Sequence, residues 1–215
     1  METEKWHEAY SGFQYHPILS EEKARMKRFR RMGILNLNKD ASILEVGSAI
    51  GTNLNLLKAQ GFNSLSGIEP SQELVDRSTC KDLIKVNGAA DIQFPDNHFD
   101  CVFVLGVMHH FPDLEYTLKS MEEIKRVLKP GGVFCYNEPT KSMTRTLGEW
   151  FLMSPFSNLF FYSRRMKTLY AEEEEELGYW LKNENNIMSK INEIGFATIS
   201  YHKSSLRSTF RAKLA

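Results

Sequence analysis

Residues 43–53 constrain the fold more than any other stretch of the chain. Ile43-Leu44-Glu45-Val46 is an apolar run broken by one acid, and Gly47-Ser48-Ala49-Ile50-Gly51 follows it. Leu54, Leu56 and Leu57 then open an apolar helical face. Strand, glycine loop and helix in that order build the first turn of a nucleotide-binding α/β unit. Gly47 and Gly51 are expected to let the backbone approach a ligand where a Cβ would stand in the way. A helix opening near Thr52 would aim free amides at the same ligand. Ala49 stands where the dinucleotide fingerprint G-x-G-x-x-G has its middle glycine, which weakens a pyrophosphate reading. A carboxylate at Glu45 instead suits a ligand with an ammonium group and no phosphate.

Later segments extend the pattern. Ser64 to Glu69 reads as a second parallel strand ending on an acid. An acid about 20 positions past the glycine loop accepts hydrogen bonds from ribose hydroxyls in such folds, and a carboxylate offers two oxygens to a vicinal diol. Pro70-Ser71 starts a helix over 72–78, and Leu83 to Val86 is a third strand. Phe99 to Leu105, almost wholly apolar, reads as a strand covered on both faces. Leu114 to Leu128 has helical periodicity, and Lys129-Pro130-Gly131-Gly132 ends it before a fifth strand, Val133 to Tyr136.

The stretch Glu45 to Gly51, the acid Glu69, the turn Asn87-Gly88-Ala89-Ala90-Asp91 and the block Glu123 to Gly132 together resemble the class I S-adenosylmethionine (SAM)-dependent methyltransferases. The resemblance covers most of residues 40–138 and, more loosely, the C-terminal part. It implies a three-layer, doubly wound, Rossmann-like α/β sheet of seven strands, mostly parallel with an antiparallel last strand. It also implies SAM as cofactor and S-adenosyl-L-homocysteine as product. The residues it places around the cofactor are Glu45, Gly47, Ser48, Gly51, Asn53, Glu69, Pro70, Ala89, Ala90, Leu105 and Gly106. Where the family often has an adenine-reading aspartate this chain has Ala89. Either backbone groups at Ala89 and Ala90 take over, or Asp91 substitutes.

Ligands of open α/β sheets bind outside the carboxyl ends of the strands. That puts His109 and His110, just past the fourth strand, beside the acceptor. A histidine is the natural base near neutral pH, so either is a candidate catalytic residue. Alternatively, one of them orders the loop by bonding the backbone. Tyr10, Tyr15 and His16 could fold over the pocket as a lid or pack on the sheet edge. Trp150, Phe151 and Tyr162 belong to an aromatic stretch that would roof a hydrophobic or aromatic acceptor, or else pack into the core or a dimer interface.

The expected organisation is one domain over 1–215. It comprises an N-terminal helical or lid segment (1–36), a cofactor-binding core (40–138), a substrate-cap insert (139–185) and a C-terminal helix and strands (186–215). A helix is expected from Ser20 to about Met32, and a short amphipathic one from Asn186 to Ile194. The basic side chains of the first, Lys23, Arg25, Lys27, Arg28, Arg30 and Arg31, form a solvated face or a site for an anionic partner. Formal net charge is zero, so nothing global points to nucleic acid. The three cysteines, Cys80, Cys101 and Cys135, are scattered, with neither metal spacing nor a disulfide framework, and suit a reducing, cytoplasmic compartment. The consecutive acids Glu172 to Glu176 would fan around a helix axis, so no metal site is expected there. No apolar run approaches the ~20 residues of a membrane span. The expected partner is a small-molecule acceptor, with the chain a monomer or homodimer. An NAD-linked oxidoreductase and a non-catalytic SAM-binding protein are the alternatives.

Overall fold

Alternation along the strands sorts side chains onto two faces of one sheet. The computed structural model describes residues 21–153 and 161–215. Strands β1 (Ser42–Val46), β2 (Ser64–Glu69), β3 (Ile84–Val86), β4 (Phe99–Leu105), β5 (Leu128–Pro139), β6 (Phe196–Lys203) and β7 (Arg207–Leu214) form a seven-stranded sheet in the order β3-β2-β1-β4-β5-β7-β6. β1 to β5 are parallel, and β7 runs antiparallel to both β5 and β6. This is the architecture expected from the sequence.

One face carries Leu44, Val46, Val102, Val104, Phe134 and Tyr136. Helices α4 (Leu114–Val127) and α6 (Phe161–Glu193) cover it with Met121, Ile124, Trp180, Ile187 and Ile191. The other face carries Ile43, Cys101, Phe103 and Cys135. Helices α1 (Glu21–Met32) and α2 (Thr52–Ala59) cover that side with Phe29, Met32, Leu54 and Leu57. α3 (Gln72–Asp76) links β2 to β3, and α5 (Met143–Met153) follows β5.

Three expectations need correction. β5 runs on to Pro139, beyond the predicted end at Tyr136, because Asn137, Glu138 and Pro139 still pair with Thr209, Ser208 and Arg207 of β7. The polar residues that look like a strand end are buried. The short helix predicted over 186–194 is the last part of α6, a single helix of 33 residues, so the predicted boundary at 185/186 falls inside one element. Leu83 ends a 3₁₀ turn and does not start β3. Among the described residues no helix is long and apolar enough to cross a membrane.

Candidate active site

The chain goes from β3 back across the sheet to lay β4 beside β1, on the side opposite β2. That reversal is the switch point at which open α/β sheets bind ligands. The loops after β1 and β4 meet there. Gly47, at φ 74°, has the Val107 side chain directly above it: a Cβ on Gly47 would lie 2.5 Å from Val107 Cγ2. A Cβ on Gly51 would lie 2.3 Å from Cys80 Sγ. The space the sequence reading reserves above these two glycines for a ligand is therefore taken by protein atoms. Both glycines are required by the packing of the loop. Gly47 and Ser48 donate their amides to Ile68 O at 2.9 and 3.0 Å, which ties the loop to the end of β2.

Glu45 shares the face of Ile43 but carries a carboxylate into it, almost fully buried. Its Oε1 accepts from Asn53 Nδ2 at 2.5 Å, and Asn53 Oδ1 accepts from Arg25 at 2.7 Å. Its Oε2 is buried and has no hydrogen-bond partner among the described residues. Burial pushes the Glu45 carboxyl up to about 8, against the opposing pull of the Asn53 hydrogen bond and the Arg25 charge. Glu69, a neighbouring acid, raises it further. Glu69 Oε2 accepts from Ala49 N at 2.9 Å, and Oε1 accepts from Ser71 N at 3.1 Å. Ser71 in turn caps α3 by accepting from Leu74 N.

On the opposite side of the switch point lies a third acid, one that the sequence reading missed. Glu138, at the end of β5, is fully buried. Its Oε1 accepts from the amides of Val107 (2.8 Å) and Met108 (3.1 Å), and its Oε2 lies 2.7 Å from His109 Nδ1. Burial alone would raise its carboxyl. The hydrogen bond and charge of His109, the Val107 amide and the Arg207 charge outweigh that and hold it below the usual range. The His110 ring lies tilted against His109, with centroids 3.8 Å apart and planes at 40°, and is itself half-buried. His109 is thus held against the end of β5 through a carboxylate. α6 packs against this turn and is fixed to β5 by Trp180 Nε1, which donates to Pro139 O at 2.7 Å.

The remaining predicted positions divide. Ala89 is buried and Ala90 half-buried beyond β3; Leu105, the last residue of β4, and Gly106 after it are half-buried; Pro70 is exposed. Asp91 is exposed, whereas Asn87 is buried and its Oδ1 has no partner among the described residues. Trp150 and Phe151 stand on α5, exposed, and so do not join the core. Tyr10, Tyr15 and His16 lie outside the described residues, as does the side chain of Tyr162. Arg25 departs from the basic face expected of α1 by turning to Asn53. Arg25 carries no local sequence signal, and the one Glu138 offers is its place just past an apolar strand.

Comparison with known proteins places this geometry. Residues 19–200 match a family model described as a methyltransferase domain. An uncharacterised methyltransferase of Schizosaccharomyces pombe is 34% identical over 47% of this chain and 41% of its own length. The ubiquinone/menaquinone biosynthesis C-methyltransferase of Pseudomonas savastanoi is 29% identical over 69% of this chain and 60% of its own length. The chain thus spans less than two thirds of these relatives. Among solved structures, the PH0226 protein of Pyrococcus horikoshii superposes with a TM-score of 0.68 at 17% identity, covering 97% of this chain and 99% of that one. A SAM-dependent methyltransferase from Aquifex aeolicus does so with a TM-score of 0.59 at 16% identity, covering 92% of this chain and 100% of that one. At such identities the superpositions speak for the fold. With the family match spanning most of the chain, the nicotinamide alternative is set aside: this chain belongs to the class I SAM-dependent methyltransferases.

Proposed function

We propose that the chain transfers a methyl group from SAM to a small, hydrophobic acceptor. The observation that carries the cofactor half is Glu45: a buried carboxylate with one unpartnered oxygen, at the switch point, whose raised affinity for a proton marks a place short of positive charge. The ammonium of the methionine end meets that need. Glu69, whose oxygens accept from the Ala49 and Ser71 amides, offers two acceptor oxygens matched to vicinal ribose hydroxyls. Asn87 Oδ1, buried and unpartnered, is better suited than exposed Asp91 to accept from the adenine amine, beside the backbone of Ala89 and Ala90. Gly47, Ser48, Gly51, Asn53 and Pro70 shape the loops around these groups, and Leu105 and Gly106 form the floor at the end of β4. When bound, the cofactor supplies a methyl group on an activated sulfonium. The protein's work is then alignment and the exclusion of water.

For a hydroxyl acceptor, His109 or His110 receives the proton. His109 has the arrangement of an oriented base: one ring nitrogen held by a buried carboxylate, the other ring edge turned from it. His110, tilted against it, is less buried. Support for an apolar acceptor comes from α5, which leaves the carboxyl end of β5. Met143, Leu147, Trp150 and Phe151, spaced for one helical face, are 84%, 63%, 73% and 43% exposed. Relatives include methyltransferases named for quinone and sterol acceptors, which supports the same class.

The test is methyl transfer from labelled SAM to a panel of quinols, phenols and sterols set against polar amines. Label in the apolar set supports the reading, and label confined to the amines overturns the acceptor class. Substitution of His109 and His110 by Gln should lower turnover without loss of SAM binding; equal loss of both would assign the pair to structure alone. Trp150→Ser, at an exposed position, should shift stability by less than ~0.5 kcal/mol while reducing turnover on the preferred acceptor.

A further inference from the structure

Helix α5 leaves the carboxyl end of β5, the end at which open α/β sheets bind ligands. Eight large apolar side chains are exposed among the described residues. Four of them, Met143, Leu147, Trp150 and Phe151, stand on α5, and a fifth, Leu206, on the turn between β6 and β7. The other three stand singly elsewhere, as is ordinary for a protein surface. Steps of four, three and one residues put the α5 four on one side of the helix. Arg145, two residues from both Met143 and Leu147, falls on the opposite side. Its guanidinium donates to Thr140 O at 3.0 Å and to Leu206 O at 2.9 Å. Ser142 Oγ caps the helix by accepting from Arg145 N at 3.1 Å, and it donates to Ser205 O. The start of α5 is therefore fixed by polar bonds on its inner side, with its apolar side turned out. A helix held by hydrophobic packing would have the reverse orientation.

Charge indicates what covers this side. From Lys141 to Ala171 the sequence holds five basic residues, Lys141, Arg145, Arg164, Arg165 and Lys167, and one acid, Glu149, in a chain of zero net charge. The last three basic residues stand in the first two turns of α6. The glutamate run comes later on that helix, nearer Trp180, which ties α6 to β5. A second copy meeting this face through a two-fold axis would bring the same basic segment against itself. An anionic lipid surface meets both features, taking apolar side chains into the acyl boundary and cations at the headgroups. We propose that α5 is an interfacial helix that seats the chain on an anionic bilayer. The acceptor then reaches the carboxyl end of the sheet from the lipid phase, a step that rests on the apolar-acceptor reading.

The test is cosedimentation of the full chain with vesicles of phosphatidylcholine, alone or with ~30% phosphatidylglycerol, in the absence of acceptor. Binding to the anionic vesicles should be at least ~10-fold the stronger. It should fall as salt rises from about 0.1 to 0.5 M. Leu147→Ser with Trp150→Ser should weaken it by ~10- to 100-fold, the size expected for withdrawing two apolar side chains from lipid. If that double variant does not fold, Met143→Ser, at the most exposed position of the row, decides by a loss of at least ~3-fold. Equal binding to both vesicles, no binding, or undiminished binding by the variants overturns the proposal. So does a lipid-free dimer that the double variant dissolves, which would assign the face to a second copy. Vesicle binding by a chain that methylates no apolar acceptor leaves the docking in place and overturns the acceptor reading instead. Methylation of apolar acceptors in detergent by a chain that binds no vesicle does the opposite.

Discussion

Gly47, Ala49 and Gly51 all adopt left-handed backbone, at φ 74°, 47° and 74°. The presence of a Cβ at Ala49 shows that this loop tolerates the ~1–2 kcal/mol such a conformation costs an L-residue. What separates the two glycines from Ala49 is space. Gly47→Ala should add an overlap with Val107 to the conformational cost, for a loss of ~2–4 kcal/mol in urea unfolding. Val107→Ala in the same chain should recover the overlap part and leave the conformational part. Additive losses in that double mutant would mean the contact is not what demands glycine. Glu45 makes a separate prediction. Folded, it holds its proton to about pH 8; its ordinary value is 4.5. Between those values the folded state binds the more protons, so its contribution is complete below pH 4.5 and is lost as pH rises to 8. For this one group the difference is on the order of 4–5 kcal/mol. The ligand-free protein should therefore lose stability over that window, and Glu45→Gln should flatten the dependence. An equally steep fall in the variant would place its origin elsewhere.

At the scale of elements, Glu138 is the clasp between β5 and the turn after β4. Removing it as Glu138→Ala strands two amides and a histidine in a buried place, at ~3–5 kcal/mol. Glu138→Gln keeps an acceptor for the amides and should cost markedly less; equal losses would argue that the cavity, not the hydrogen bonds, dominates. This clasp also shows where the sequence stops being legible. The first strand, its loop and the acid of β2 could be read because their signals are local: an apolar run, glycines, an acid at a set distance. Glu138 could not, since its partners Val107 and His109 lie about 30 residues away, and only the sheet order puts β5 against β4. Arg25 was hidden for the same reason, lost among neighbouring basic residues until α1 packed on α2. α6 was read as two pieces because a run of five glutamates and Gly178 break its apolar periodicity. Tertiary packing of Leu177, Trp180, Ile187 and Ile191 overrides those local signals.

For the molecule as a whole, these elements converge on a single linkage between protonation, binding and stability. The ligand-free chain holds Glu45 largely protonated at neutral pH. An ammonium seated against its open oxygen favours the carboxylate, so binding at pH 7 must expel a proton. Affinity for S-adenosyl-L-homocysteine should then rise with pH below about 8 and level off above it. Between pH 6 and pH 8 the gain should be on the order of 10- to 50-fold. The thermal shift given by a fixed ligand concentration should grow over the same range, because ligand binding stabilises in proportion to the logarithm of concentration over Kd. Calorimetry in buffers of different ionisation enthalpy counts the proton directly. In Glu45→Gln both the proton release and the pH dependence should vanish, even where some binding survives through Glu69 and the nucleoside. Affinity that stays level from pH 6 to 8 in the wild-type chain would mean that Glu45 does not meet the ligand's positive charge, and the amino-acid end of the site would have to be sought elsewhere along the switch point.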